Sequence, residues 1–439
     1  MFKTVRRAFQ IEDIRKKIFY TFMMLVVVRL GSQLPTPGVN PDYIKNFFAQ
    51  NTGDAFNFFN AFTGGSFEQM SVFALSITPY ITSSIIIQLL TIAIPKLEEM
   101  QKEGEDGRKK IASITRYVTI GLSLIESIAM AVGFGRSGLI KNSAQLSTLH
   151  YVVCIIVVVA ALTAGSAVLM WLGERITEKG VGNGISIVLL INIISGMPSD
   201  FATLYSTFVA PKTPAKGVLA AVIILAILIV MVVLVCFLQD GERRIPVQYS
   251  QKVSGRRTVG GQSTNIPLKV NTAGVMPIIF ASSLMQFPVI IAQLFGKSYE
   301  WTRYLSSSYW CRVEAPKYSI GLLVYIVLLI IFAYFYTSIT FNPIEVADNL
   351  KKAGGVIPGI TPGKSTSEYL NKILNYIVFI GAVGLLIIAL IPIMCTGFFN
   401  ASVSFGGTSI IIIVGVVLET LKQIESQMCN RYYKGFLSE

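Results

Sequence analysis

The chain has 439 residues, 53% hydrophobic and only 14% charged, with a formal net charge of +13 and a mean hydropathy of +0.62. Soluble domains average about 25% charged residues, and a soluble chain of this length would divide into roughly three domains, each needing a polar surface. The composition excludes a soluble enzyme, a disordered chain and a secreted disulfide scaffold, and leaves a polytopic membrane protein.

Residues 1–17 form a basic tail. Phe2, Val5, Phe9 and Ile14, with Arg and Lys between them, suit a helix lying in the membrane interface. No small-residue cleavage site follows the first apolar stretch, so a cleavable signal is not expected. Apolar runs of about 20 residues then mark membrane spans. The first five lie at 18–34, 72–94, 117–134, 149–172 and 185–197. The second five lie at 218–238, 275–295, 319–340, 373–391 and 407–421. The run 218–238 contains no polar residue, and 373–418 is uncharged throughout but is divided by Pro392 and Gly406-Gly407. No long stretch alternates with period two, which argues against a transmembrane barrel. The expectation is an all-α polytopic membrane protein with ten transmembrane helices.

Charge distribution supports the count. Of the 37 Lys and Arg, 27 fall in the tails and alternate loops on one side, 9 on the other, and Arg29 lies inside span 1. Positive loops mark the cytoplasm, so both termini are expected there. The net charge follows from topology and contact with anionic lipid without invoking nucleic acid. Ten spans divide into halves at 18–205 and 206–424, followed by a C-terminal tail at 425–439. Five is odd, so the second half enters the membrane upside down, an architecture used by transport proteins.

Little in the chain suggests covalent chemistry. The five cysteines form no C-x-x-C pair, so neither a metal site nor any cofactor is expected. His150, the lone histidine, reads as an interfacial residue at a span edge. Gly359-Ile-Thr-Pro-Gly-Lys-Ser365 resembles a phosphate loop, but Pro358 stands where its first glycine belongs. Arg29, Glu126 and Glu419 are the ionisable residues within spans. They keep open an ion-coupled small-solute transporter as an alternative, since such residues mark transport pathways.

Two loops are too long and too charged for simple turns. Residues 239–271 hold Arg243, Arg244, Arg256 and Arg257, the last pair bracketed by Gly255 and Gly260-Gly261 as at a hairpin tip. Residues 342–372 hold Lys351, Lys352 and Lys364. Paired cations at projecting tips suit an acidic partner such as RNA phosphates or an acidic protein face.

Several stretches carry a resemblance. They are Phe73-Ala-Leu-Ser-Ile-Thr-Pro-Tyr-Ile81, Glu103-Gly-Glu-Asp-Gly-Arg108, Gly180-Val-Gly-Asn-Gly-Ile-Ser186, Gln262-Ser-Thr-Asn-Ile-Pro-Leu-Lys-Val-Asn271, Gly274-Val-Met-Pro-Ile-Ile-Phe-Ala-Ser-Ser283 and Asn342-Pro-Ile-Glu-Val-Ala-Asp-Asn-Leu-Lys-Lys352. In this order they resemble the SecY family, the central subunits of bacterial protein-conducting channels. The resemblance implies two inverted five-helix halves around a central pore. The pore is closed at its waist by a ring of Ile77, Ile81, Ile185, Leu189, Ile279 and Ile412. A plug is implied at about 56–70, including Phe62, Gly64, Gly65, Phe67 and Met70, expected to be loosely packed and cheap to displace. A lateral gate between spans 2–3 and 7–8 would be lined by Gln88, Glu126, Ser282 and Ser283. The chain would pass unfolded preproteins across the cytoplasmic membrane and release hydrophobic segments and signal sequences sideways into lipid. It would work with SecE-like and SecG-like subunits. A SecA motor or a ribosome would dock on Arg243, Arg244, Arg256, Arg257, Lys351, Lys352 and Lys364. One departure keeps an accessory paralogue for selected substrates as an alternative. In Pro358-Gly-Ile-Thr-Pro-Gly363, Thr361 stands where the family often has Arg, and a hydroxyl cannot replace a guanidinium fork.

Overall fold

The computed structural model describes residues 2–40, 43, 60, 62–140, 147–210, 214–249, 252–254, 257–259, 263–294, 300–306, 309–311, 316–399 and 407–435. Among these, the apolar runs are helical. In chain order the helices are α1 (Phe2–Gln10), α2 (Glu12–Gly31), α3 (Thr78–Ala93), α4 (Pro95–Lys102), α5 (Glu105–Phe134), α6 (Thr148–Lys179) and α7 (Gly184–Leu204). The second set is α8 (Pro214–Asp240), α9 (Met276–Leu294), α10 (Glu300–Leu305), α11 (Ile320–Thr340), α12 (Pro343–Lys352), α13 (Lys364–Phe399) and α14 (Gly407–Gly435). Helices α2, α3, α5, α6, α7, α8, α9, α11, α13 and α14 occupy the ten expected spans. Among the described residues, six stretches are long and apolar enough to cross a membrane by length and composition alone, and the bent pair α3–α4 makes a seventh.

Several boundaries differ from the sequence reading. Helix α3 begins at Thr78 rather than at Val72, because 72–77 form turns and Ser76 sits at φ +52°. Pro79 then lies in the first helical turn, where its missing N–H costs nothing. Pro95 ends the straight run, and α4 leaves α3 at 106°. Helix α7 continues through Pro198 to Leu204, well past the expected end at 197. Helix α14 carries on to Gly435, so most of the expected C-terminal tail is helical. Helices α5, α6 and α13 also extend into charged sequence beyond their apolar runs.

The two halves repeat one packing scheme. In the first, α2 packs on α6 and α7, α3 on α5, α5 on α6, and α6 on α7. In the second, α8 packs on α13 and α14, α9 on α11, α11 on α13, and α13 on α14. Each pair is the counterpart of the other half's pair five spans earlier. With an odd number of spans per half, the second half is the first turned over in the membrane. The halves meet where α7 packs on α14 and where α5 packs on α9. One tight approach is worth noting: a Cβ on Gly165 of α6 would collide with the Val72 carbonyl, so only glycine lets α6 lie against the turns before α3.

Outside the apolar spans the described residues form a three-stranded sheet and a two-stranded one. Strand β1 (Glu242–Tyr249) pairs antiparallel with β4 (Ser263–Lys269) on one side and with β5 (Gly355–Val356) on the other. Between β1 and β4, β2 (Lys252–Ser254) pairs with β3 (Arg257–Val259), Ser254 opposite Arg257. The two long loops thus share one sheet. Ile245 and Val247 of β1 and Leu268 of β4 meet Leu350 of α12, Ile357, and Leu370 and Ile377 of α13 in a common core. Asn342 caps α12 by accepting from the Ile344 N–H at 3.1 Å, which fixes where α12 departs from α11. The sheet sits at the end of the bundle where Lys422 of α14 pairs with Asp240 of α8 at 2.7 Å, the same end where α1 packs on α14.

Candidate functional site

At the centre of the bundle the two halves share one apolar cluster. Ile77 leads into α3, Leu189 lies on α7, Ile279 on α9 and Ile412 on α14, and all four are buried in it. Ile81 and Ile185 are half-buried and pack against it. The six expected ring residues are therefore brought together, two helices from each half supplying them. Phe73, Val188, Ile193, Phe280 and Val416 belong to the same cluster, and the motif reading did not single them out. Phe280 meets Phe332 and Tyr336 of α11 edge to face, at 5.7 and 6.0 Å between ring centroids. Branched aliphatic side chains gathered in this way present neither charge nor a side-chain hydrogen-bonding group.

Phe62 joins this cluster from one side and leads into the segment 62–70. The part of the expected plug at 56–59 and Ala61 lie outside the described residues. The rest is not loosely packed. Thr63, Ser66, Phe67 and Met70 are each at most 4% exposed, and Phe67 and Met70 belong to a second apolar cluster with Leu75, Leu139 and Leu162. The chain turns at Gly64 (φ +64°) and Gly65 (φ +82°), in the region that favours glycine. At Gly64 a Cβ would also lie 2.8 Å from Ser195 Oγ and 2.9 Å from the Arg29 guanidinium.

Polar side chains hold this turn by its backbone. Arg29 Nη1 and Ser195 Oγ both donate to the Gly64 carbonyl at 3.3 Å. Asn192 Nδ2 donates to the Phe62 carbonyl at 3.3 Å and to Ser76 Oγ at 3.1 Å. Met70 and Val72 tie the far end through backbone bonds with Thr36 and Leu34. Asn192 and Ser195 escaped the sequence reading. Their signal was the pair of polar residues three apart in an otherwise apolar stretch of α7, which places both on one face.

The four expected gate residues do not share one environment. Gln88 on α3 donates to Ser84 Oγ at 3.5 Å, and its Oε1 is buried without a partner among the described residues. Glu126 is half-buried on α5, the helix on which α3 packs. Ser282 is buried on α9. Ser283, beside it, is half-buried. Among the described residues no cluster of His, Cys, Asp and Glu is arranged to hold a metal ion.

Comparison with known proteins places this architecture. The family model for SecY matches residues 71–421. The chain belongs to the SecY family. A protein translocase subunit SecY from Halalkalibacterium halodurans is 44% identical over 446 residues, covering 100% of both chains. That of Streptomyces coelicolor is 43% identical and that of Bacillus subtilis 41%, each again covering 100% of both chains. Among solved structures, a protein-conducting channel superposes with a TM-score of 0.61 at 17% identity, covering 94% of this chain and 93% of that one. Sec61 from a canine ribosome–channel complex gives 0.58 at 17% identity, with the same two coverages. This SecY-family chain is a multi-pass membrane protein and a channel subunit.

In this SecY-family chain the basic loop residues sit on the shared sheet and its flanks. Arg243 and Arg244 are exposed on β1, and Arg244 is held by Glu242, with Nη2 at 2.6 Å. Lys351 and Lys352 are exposed in the last turn of α12, where cations suit the helix dipole. Lys364 is exposed at the first turn of α13. Arg257 lies on β3, and Arg256 lies outside the described residues. Thr361, at the position where the family often has Arg, accepts from Thr366 Oγ1 through its carbonyl at 2.9 Å. Its side chain is exposed.

Proposed function

We propose that the apolar waist is the constriction through which unfolded preproteins cross the cytoplasmic membrane, with both termini in the cytoplasm. The observation that carries this reading is the convergence of Ile77, Leu189, Ile279 and Ile412 from both halves into one buried cluster, with Ile81 and Ile185 packed against it. Segment 62–70 is the plug that backs the seal from one side. Hydrophobic segments and signal sequences leave between α3–α5 and α9–α11, where α5 packs on α9, past Gln88, Glu126, Ser282 and Ser283. SecE-like and SecG-like subunits complete the assembly. The drive comes from outside the chain, from a SecA motor or a ribosome docked on the basic face of the sheet and α12. The chain itself makes and breaks no covalent bond.

The test is a photoreactive side chain at Ile279, with an exported preprotein stalled in the membrane and irradiated. A crosslink to the mature part of the preprotein is the expected result. A stalled intermediate confirmed elsewhere in the same membrane, yet uncrosslinked at Ile279, overturns the pore assignment.

A further inference from the structure

We propose that Arg29 is a latch that holds the plug closed, acting with Ser195 on a single backbone carbonyl; this rests on the plug reading above. Arg29 lies near the end of α2, half-buried among apolar neighbours. A cation in such a place is costly unless it finds a partner. Among the described residues no carboxylate forms an ion pair with it. Its hydrogen-bond partner is the Gly64 carbonyl. Ser195 Oγ reaches the same oxygen at 3.3 Å while donating to the Asn192 carbonyl at 2.7 Å, so the charged donor is the stronger partner of that oxygen.

Three further observations fit a latch rather than ordinary packing. The contact is to backbone, so it depends on where the turn lies and not on which side chain the turn carries. Gly64 leaves no room for a Cβ between the two donors, so the carbonyl is brought to them by a residue that must be glycine. Two residues earlier, Asn192 of the same helix as Ser195 holds the Phe62 carbonyl. The plug is thus gripped by α2 and α7, both in the first half, while Phe62 touches the waist that both halves build. Parting the halves withdraws Ile279 and Ile412 from the cluster that Phe62 joins but leaves the Arg29 grip in place. Releasing the plug therefore requires this charge-assisted bond to break as a separate step.

The experiment measures resting ion conductance of the complete translocase in planar bilayers, without substrate. Four forms are compared: wild type, Arg29→Ala, Arg29→Lys and a deletion of residues 62–70. A charge-assisted hydrogen bond lost from the closed state raises the open fraction roughly tenfold to a hundredfold. Arg29→Ala is expected to show this rise and Arg29→Lys, which still donates to one carbonyl, to recover part of it. Wild-type conductance in Arg29→Ala, with a rise in the deletion, overturns the latch and leaves the plug reading intact. Unchanged conductance in the deletion overturns the plug reading and the latch with it. If Arg29→Ala fails to assemble, Ser195→Ala and Arg29→Lys interrogate the same oxygen. A rise of several-fold in both is then expected, and no rise in either overturns the proposal.

Discussion

Ile279→Asn places an amide among hydrocarbon in the apolar cluster that both halves build. Ile279 is 6% exposed and packs in a cluster whose other ring members, Ile77, Leu189 and Ile412, offer no side-chain acceptor. Removing its buried side chain forfeits about 1.5–3 kcal/mol. Leaving the new amide without partners costs about 1–3 kcal/mol more. Both terms fall on the closed waist, because an open, wetted waist solvates the amide. The closed state is weakened by about 3 kcal/mol or more, which multiplies the open population by roughly a hundredfold. Ile279→Leu keeps the volume and loses less than about 1.5 kcal/mol. Single-channel recording of the reconstituted complex reads the difference directly. Asn is expected to give frequent resting openings and Leu to stay close to wild type. At the half-buried Ile81 the same change to Asn is expected to raise opening by less. Equal conductance for Asn and wild type at 279, or an equal rise for Asn and Leu, would refute the claim that this cluster seals by excluding water.

Other consequences are open to measurement. Val247 is fully buried under the sheet, so Val247→Asp leaves an unpaired charge there. It is expected to abolish motor and ribosome binding in a co-sedimentation assay while the apolar helices still insert. Reversing Arg256 and Arg257 to Glu is expected to weaken the same docking without unfolding the sheet, with the loss shrinking as salt is raised. Equal binding by the reversed and native chains would remove these residues from the contact. Gly165→Ala forces a methyl against the Val72 carbonyl. It is expected to lower stability by about 1–3 kcal/mol, seen as a fall in Tm in detergent; an unchanged Tm would show that α6 can move away.

The number and order of the spans were legible in the sequence because lipid imposes a single requirement, length of apolar run, that each span meets alone. Their ends were not, because helices α5, α6, α13 and α14 continue into charged sequence that an apolar-run test discards. The start of α3 was misplaced for a different reason. Residues 72–77 are as apolar as the helix after them, and what stops them being helical is the positive φ of Ser76 and the backbone bonds that tie Met70 to Thr36 and Val72 to Leu34. The ring residues came from the motif resemblance, since isolated isoleucines in apolar helices carry no signal of their own. The packing of the plug was misjudged because glycine and serine suggest looseness. The donors that fix it, Arg29, Asn192 and Ser195, come from helices far away in sequence. The alternation of Ile245, Val247 and Tyr249 in β1 is too brief to stand out in a charged loop, and β5 is shorter still.

The sheet that joins the two basic loops changes what a docking partner holds. Its strands grow from the ends of α8 and α9 and from the link between α12 and α13, and its core is closed by α13 itself. All of these belong to the second half. Whatever grips either loop therefore takes hold of a single handle, rooted in one half of the molecule and not the other. Load placed on that handle enters the second half first and reaches the first half only across the contacts between the halves, α7 on α14 and α5 on α9 among them.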